Sequence, residues 1–137
     1  MTQEKKELLL QDICGRLPYG VKVQIDFGEH CVKYGIDRYV DDTVICVWHE
    51  TFEIGVNDED QACDIEDVKP YLRPMSSMTE EEAEEYNDLV NELSDYDCKP
   101  EQSAIKIVDW FNKKKFDYRG LIPMCLALEA PEDMYVF

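Results

Sequence analysis

Cysteine and histidine are the residues of this 137-residue chain that come nearest to a catalytic or metal-binding set. The chain has two histidines, His30 and His49, and neither has a second histidine at the spacing that zinc hydrolases use for paired ligands. His30 precedes Cys31, but neighbouring strand residues point to opposite faces, which argues against a dyad there. A cross-strand pairing of His49 with Cys31 or Cys63 stays open as a thiol nucleophile with a base.

The remaining sequence signals favour a protein without catalytic, cofactor-binding or metal-ligating residues. The six cysteines, at positions 14, 31, 46, 63, 98 and 125, include no Cys-x-x-Cys pair and are read as reduced thiols acting as small hydrophobic groups. The six glycines are isolated, so the glycine-rich loops that bind phosphate are missing, as is a serine-centred nucleophile elbow. A small enzyme with a pocket built from scattered residues remains an alternative.

Two acidic segments could in principle hold a divalent cation in a loop. They are Asp41-Asp42 and the run Asn57-Asp58-Glu59-Asp60, which lacks the twelve-residue pattern of a calcium hand. With 31 acidic residues in the chain, neighbouring carboxylates are common, and solvated turns are the favoured interpretation.

The net charge of −17 is concentrated in the middle of the chain. Residues 21–75 carry thirteen acids and five bases, residues 76–98 carry nine acids and no base, and both ends are neutral. Such a field repels nucleic-acid phosphate and anionic membranes, and it attracts basic proteins. We therefore expect a protein partner with basic character, no direct nucleic-acid binding and no membrane association.

Apolar patterning predicts a cytoplasmic protein with three helices. No apolar run approaches the roughly 20 residues that span a bilayer, and the N-terminal segment lacks a secretory signal pattern. Leucine and isoleucine at helical spacing predict a first helix within residues 1–20, which Pro18 and Gly20 end. Thr79 and Glu82 have the spacing of a capping box for the second helix. Pro100 suits the start of the third, and Lys113-Lys114-Lys115 its solvated end, before an extended tail.

Period-two patterning predicts about five short strands within residues 21–75. The strands are expected at 21–25, 31–36, 43–49, 52–56 and 63–68, with a turn at 40–42. Residues 65–72 resemble the 3₁₀ turn and last strand that close SH3-like barrels. The expected fold class is α+β in one domain, residues 1–137, with 76–137 as the helical C-terminal part. The strands form either a small SH3-like antiparallel β-barrel or a curled sheet.

Aromatic residues and nearby arginines are the candidates for partner binding. Four aromatic side chains could line a groove that accepts a peptide, although core packing is the default for Trp48. A structural role at the junction of sheet and helices is favoured for Tyr71 and Arg73, which lie between two prolines. The candidate residues are Tyr34, Tyr39, Trp48, Phe52, Tyr71, Arg73, Tyr118 and Arg119.

Three segments of the chain are familiar as sequences. Residues 8–21, 68–79 and 116–122 resemble a family of short uncharacterised proteins from gut Bacteroidales genomes and their mobile elements. The resemblance implies a bacterial or phage-borne cytosolic protein, and it brings no catalytic residue with it.

The sequence thus favours a non-enzymatic protein-interaction module that binds a basic partner through an acidic surface. A nucleic-acid-mimicking inhibitor from a mobile element is one alternative, because its carboxylates could replace phosphates. A small enzyme is the other.

Overall fold

A computed structural model describes residues 1–95, 97 and 99–137, so Cys98 lies outside the described residues. Its architecture is α+β, as predicted, with three helices and a six-stranded mixed sheet. The helices are α1 (Gln3–Arg16), α2 (Glu80–Leu93) and α3 (Pro100–Lys114). The strands are β1 (Lys22–Asp26), β2 (Tyr39–Trp48), β3 (Glu53–Val56), β4 (Cys63–Asp64), β5 (Val68–Leu72) and β6 (Leu128–Glu129).

The sheet is the curled alternative rather than the SH3-like barrel. Its strand order is β4-β3-β2-β1-β5-β6, and in the described part of the chain no pairing joins the edge strands β4 and β6. Four of the five strand pairs are antiparallel, whereas β5 and β6 are parallel. The sixth strand comes from the tail, whereas the strand predicted at residues 63–68 is interrupted after Asp64, where β4 ends. The expected 3₁₀ turn, Ile65–Asp67, leads into β5.

The hydrophobic core joins the first helix to the sheet. Leu9 and Ile13 of α1 are fully buried in the same cluster as Val23, Ile54 and Leu72 of the strands. In β1 the side chains of Val23 and Ile25 are buried while those between them are more exposed, as period-two patterning requires. The helix therefore covers the face of the sheet that the sequence pattern marks as apolar.

The strand predicted at residues 31–36 is wrong. This segment begins as a 3₁₀ helix, Glu29–Tyr34, between Gly28 and Gly35, whose φ angles are +90° and +74°. Both conformations suit glycine, and they turn the chain out of the sheet at each end. The alternating side chains Val32, Tyr34 and Ile36 are all exposed, so no core face stabilised a strand there.

The turn predicted at residues 40–42 is also wrong, because these residues lie inside β2. Their carboxylates have partners that make an acidic strand tolerable. Asp41 accepts a 2.7 Å hydrogen bond from the Tyr71 hydroxyl, and Asp42 accepts the backbone N–H groups of Thr43 and Asp58.

An ion pair connects the start of the second helix to Arg73, the residue that follows β5. The predicted capping box is present, since Thr79 accepts the Glu82 N–H and the Glu82 carboxylate accepts the Thr79 N–H. The same carboxylate accepts two hydrogen bonds from Arg73, at 2.8 and 2.7 Å. The hydrogen bonds from Arg73 are the main cause that lowers the pKa of Glu82 to about 2, and the contacts with Thr79 add to this effect. Burial opposes the shift.

An ionic network centred on the fully buried Asp12 and Arg16 connects the first helix to the C-terminal segment. Asp12 accepts hydrogen bonds from Arg16 one turn later and from Arg119, all at 2.9–3.0 Å. Arg16 also donates to the Phe116 carbonyl at 2.7 Å. Its Nη1 is buried with no hydrogen-bond partner among the described residues, and its guanidinium lies 5.2 Å from the centre of the Tyr118 ring. Asp12 is thus the carboxylate shared by two guanidinium groups.

The third helix ends at Lys114, within the lysine run that predicts its end, but the side chain of Lys115 is buried rather than solvated. It adopts a left-handed conformation at the C-cap with φ +65°, and only 3% of its surface is exposed. Its ammonium donates to the carbonyls of Tyr19 and Lys113, both at 3.1 Å. Burial, and secondarily the charge of Arg16, lowers the pKa of Lys115 to about 8. The solvated-cap interpretation is therefore wrong for this residue.

Among the described helices, none is both long enough and apolar enough to cross a membrane.

Removing the charge of Asp12 should destabilise the protein strongly. We expect Asp12→Asn to lower the free energy of unfolding by about 3–5 kcal/mol, because two guanidinium groups lose their shared buried counter-ion. Urea denaturation followed by circular dichroism measures the change. The exposed Glu7→Gln on the same helix is the control and should stay within about 0.5 kcal/mol. Equal losses in both variants would show that the network is not a stabilising contact.

Glu82 should make stability depend on acid pH. Its pKa is lowered when folded, so its contribution is present above the ordinary value of 4.5 and is lost as the pH falls toward about 2. We expect Glu82→Gln to cost roughly 2–3 kcal/mol at neutral pH and almost nothing near pH 2. Denaturation at several pH values tests this, with exposed Glu81→Gln as control. A penalty that is independent of pH would contradict the role of the ion pair.

Candidate functional site

An acidic groove lies between the end of β1 and the segment that connects β3 to β4. It has a volume of about 490 Å³. Every ionised side chain that lines it, within the described part of the chain, is a carboxylate, and most of these are exposed. We define the acidic groove by Asp26, Asp58, Glu59, Asp60, Asp64 and Asp67.

The carboxylates of the groove act on one another. The pKa of Asp67 is raised by burial and then by the negative charges of Asp64, Asp26 and Glu66. The pKa of the Cys63 thiol, also in the groove, is raised by burial and then by neighbouring carboxylates, led by Glu59. Mutual repulsion of this kind favours occupation by a cation or a basic side chain.

A loop with exposed apolar side chains begins and ends at the rim of the groove. We call residues 29–37 the projecting loop. Val32, Tyr34 and Ile36 expose 62, 79 and 54% of their surface. These three exposed side chains lie within five residues of one another, which makes the projecting loop a candidate surface for a partner to cover.

Asp26 connects the groove to the projecting loop. Its carboxylate accepts the Gly28 N–H at 2.9 Å, and it accepts two hydrogen bonds from Arg38 at 2.9 and 3.2 Å. Arg38, and next the Gly28 N–H, lowers the pKa of Asp26. The Phe27 N–H donates to the Arg38 carbonyl at 2.7 Å, which closes the base of the loop. The loop is therefore fixed to the groove by one charged residue.

The four predicted groove aromatics do not come together. Tyr39 is half exposed beside the projecting loop, with its ring 5.0 Å from the Arg38 guanidinium, and Tyr34 lies on the loop itself. Core packing, the default expectation for Trp48, is wrong, because the side chain is exposed. It lies at the opposite end of β2, nine residues from Tyr39, or roughly 30 Å along an extended strand. Phe52 packs against the core with φ +54°. Two of the four thus lie at the candidate site.

The other four candidate residues make contacts inside the protein. Burial, reinforced by its hydrogen bond to Asp41, raises the pKa of Tyr71 to about 12. Arg73 pairs with Glu82 and lies 4.3 Å from the centre of the Phe116 ring. Arg119 donates to both Asp12 and the Tyr118 hydroxyl, which in turn donates to Asn112. The structure places these side chains in the framework rather than at the groove.

The described contacts of His49 include neither Cys31 nor Cys63, the two partners that the sequence leaves open. His49 lies 3.7 Å from the sulfur of Cys14, a contact that no sequence pattern suggested, since 35 residues separate the two. His30 lies 3.7 Å from Cys31 despite their adjacency, but the Cys31 thiol also donates to the Phe27 carbonyl.

No metal centre is formed by the acidic segments considered above. Within the described residues, no group of three or more His, Cys, Asp or Glu side chains is arranged to hold an ion. Asp41 and Asp42 are engaged by Tyr71 and by backbone N–H groups, whereas Asp58, Glu59 and Asp60 contribute to the acidic groove.

Comparison with known proteins gives no match from which a function could be inferred, so the functional proposal is argued from the geometry of the site. No protein-family model matches the sequence, and neither a curated protein nor a solved structure gives a significant match.

Proposed function

We propose that this protein is a non-enzymatic interaction module that binds a basic segment of another protein. The acidic groove receives lysine or arginine side chains, and the projecting loop contacts apolar side chains of the same segment. The observation that carries the proposal is that the exposed apolar loop begins and ends at the rim of a groove whose charged lining is entirely acidic in the described residues. Charge complementarity selects the partner.

The internal contacts of the acidic second helix favour the groove as the binding surface. In α2, Glu82 pairs with Arg73, Glu85 accepts a 2.9 Å hydrogen bond from Trp110, and Glu92 pairs with Lys106. Several of its carboxylates thus already have donors from elsewhere in the protein. The basic side chains described at the groove are Arg38, which binds Asp26 at the rim, and Lys69, whose charge also lowers the pKa of Asp26. Within the described residues, no basic side chain lies within ion-pair distance of Asp58, Glu59 or Asp60, so these three carboxylates are available to a basic partner.

The projecting loop distinguishes this proposal from generic acidity. Acidic side chains by themselves keep a protein soluble and require no partner. Exposed tyrosine and isoleucine beside them add apolar area that a partner can bury, and tyrosine is enriched at such interfaces. The proposal retains a cytosolic protein carried by a bacterium or a mobile element, whose partner is a basic protein of the same cell.

Neutralising the groove should weaken binding to a basic peptide. The probe is a short fluorescein-labelled peptide that alternates lysine with leucine, and fluorescence anisotropy measures its affinity at low salt. We expect the triple variant Asp58→Asn, Glu59→Gln, Asp60→Asn to raise Kd about tenfold, because three exposed charge contacts contribute about 1.5 kcal/mol together. Added salt should weaken wild-type binding in the same direction.

The matched control changes the same number of charges on α2. Its substitutions are Glu81→Gln, Glu84→Gln and Asp88→Asn, all exposed, and Kd should change less than about twofold. In a second arm, Tyr34→Ala with Ile36→Ala should weaken binding, unlike Ile105→Ala with Val108→Ala on α3. Equal losses in both charge triples would contradict a groove and indicate non-specific attraction. If the protein instead displaces DNA from a basic DNA-binding protein but does not bind the peptide, the nucleic-acid-mimic alternative replaces this proposal.

A further inference from the structure

A second concave region holds a thiol and an imidazole in contact. It lies between α1 and the turn that joins β2 to β3, with a volume of about 510 Å³. Cys14 Sγ is 3.7 Å from His49 Nε2, within hydrogen-bonding range for sulfur. Leu10 and Phe52 supply apolar wall, and Glu7 lies among the lining residues. The cavity is open to solvent on a scale that admits a small molecule.

Cys14 is held within a helix, and His49 lies in the exposed turn that directly follows a strand. Cys14 belongs to the last turn of α1, between the buried residue Ile13 and the end of the helix at Arg16. His49 is the first residue after β2, in a four-residue connection that ends at Phe52. Phe52 has φ +54°, an uncommon conformation for a bulky side chain, and it packs against the core. The imidazole thus contacts the helix from the short connection between β2 and β3.

Cys14 differs in its surroundings from Cys31, Cys63 and Cys125. Cys31 also lies 3.7 Å from an imidazole, but its thiol donates to the Phe27 carbonyl at 3.3 Å, which engages the proton elsewhere. Cys63 lies in the acidic groove, where burial and carboxylates raise its pKa and disfavour the thiolate. Cys125 is exposed on a connecting segment. Cys14 combines a neighbouring base with an open apolar cavity.

We propose that Cys14 is a reactive thiol that undergoes exchange with small neutral or cationic disulfides, with His49 as the base. In the tautomer with its proton on Nδ1, the imidazole accepts the thiol proton at Nε2. The thiolate then attacks one sulfur of the disulfide, a Cys14–sulfur bond forms, and the original sulfur–sulfur bond breaks. The departing thiolate takes the proton from Nε2. The disulfide is the oxidant, and its released half is the reduced product.

Charge selects among disulfides. Glu7 lines the cavity and Glu50 follows His49 in the chain, within a protein of net charge −17. An anionic disulfide is repelled by this field, whereas a cationic one is concentrated near the thiol. Cystamine, which carries two ammonium groups, should therefore react faster than oxidised glutathione, which is anionic at neutral pH.

The test follows each cysteine of the full-length chain separately. The protein is incubated with cystamine or oxidised glutathione at neutral pH and quenched with acid, and the modified sites are located by peptide mass mapping. We expect Cys14 to react with cystamine about tenfold faster than the exposed Cys125. We expect His49→Asn to remove that advantage while leaving the Cys125 rate unchanged. The preference for cystamine should shrink as salt is added.

His30→Asn is the matched control, because it removes the other imidazole that contacts a cysteine and should leave the Cys14 rate unchanged. Thermal unfolding of both variants verifies the fold, and His49 is exposed, so its replacement should be tolerated. Cys14 reacting no faster than Cys125, or an unchanged Cys14 rate in His49→Asn, would overturn the proposal. Peptide binding at the acidic groove is measured independently of this site, so either proposal can fail alone.

Discussion

The carboxylate of Asp12 is the contact on which the arrangement of helices and sheet depends. It is fully buried and faces the guanidinium groups of Arg16, on its own helix, and Arg119, more than one hundred residues away. From there the connection continues, because Arg16 donates to the Phe116 carbonyl, and the segment around Phe116 exchanges backbone hydrogen bonds with Arg73. Arg73 in turn pairs with Glu82 of the second helix. The first and second helices are thereby joined through the C-terminal segment and β5.

This framework also determines where the negative charge acts. In the described part of the chain, eight of the fourteen basic side chains make ionic or carbonyl contacts within the protein: Lys6, Arg16, Lys22, Arg38, Arg73, Lys106, Lys115 and Arg119. A cation bound inside the protein contributes little to the field at a distant part of the surface, because its partners compensate it locally. At the acidic groove, Arg38 is bound to Asp26 and Lys69 also acts on that carboxylate, while most of the other groove carboxylates face solvent. The negative charge seen in the sequence is thus divided between the acidic groove at one rim of the sheet and the exposed face of α2.

The elements that sequence reasoning predicted correctly are those whose cause is local. Leucine spacing, the Thr79–Glu82 capping box and the proline at the start of α3 act within a few residues, and all three helices are confirmed. The prediction of a strand at residues 31–36 is wrong because alternating apolar and polar residues indicate a strand only where one face is buried, and the apolar side chains of this segment are exposed. The prediction of a solvated Lys115 is wrong because its ammonium donates to the carbonyl of Tyr19, which is distant in sequence. The candidate site could be anticipated as acidic and aromatic, since Tyr34 and Tyr39 lie at its loop, but the groove depends on the curl of the sheet.

The cysteine–histidine contact shows the same limit and also how the framework supports a reactive group. The pairing of Cys14 with His49 arises only because the core places α1 against the end of β2, and no local pattern encodes that placement. Asp12 and Cys14 are two residues apart on one helix, so their side chains leave it in different directions. One is held in the buried network while the other lines the open cavity. The helix that carries the thiol of this 3.7 Å contact is anchored from its buried face by charge as well as by packing.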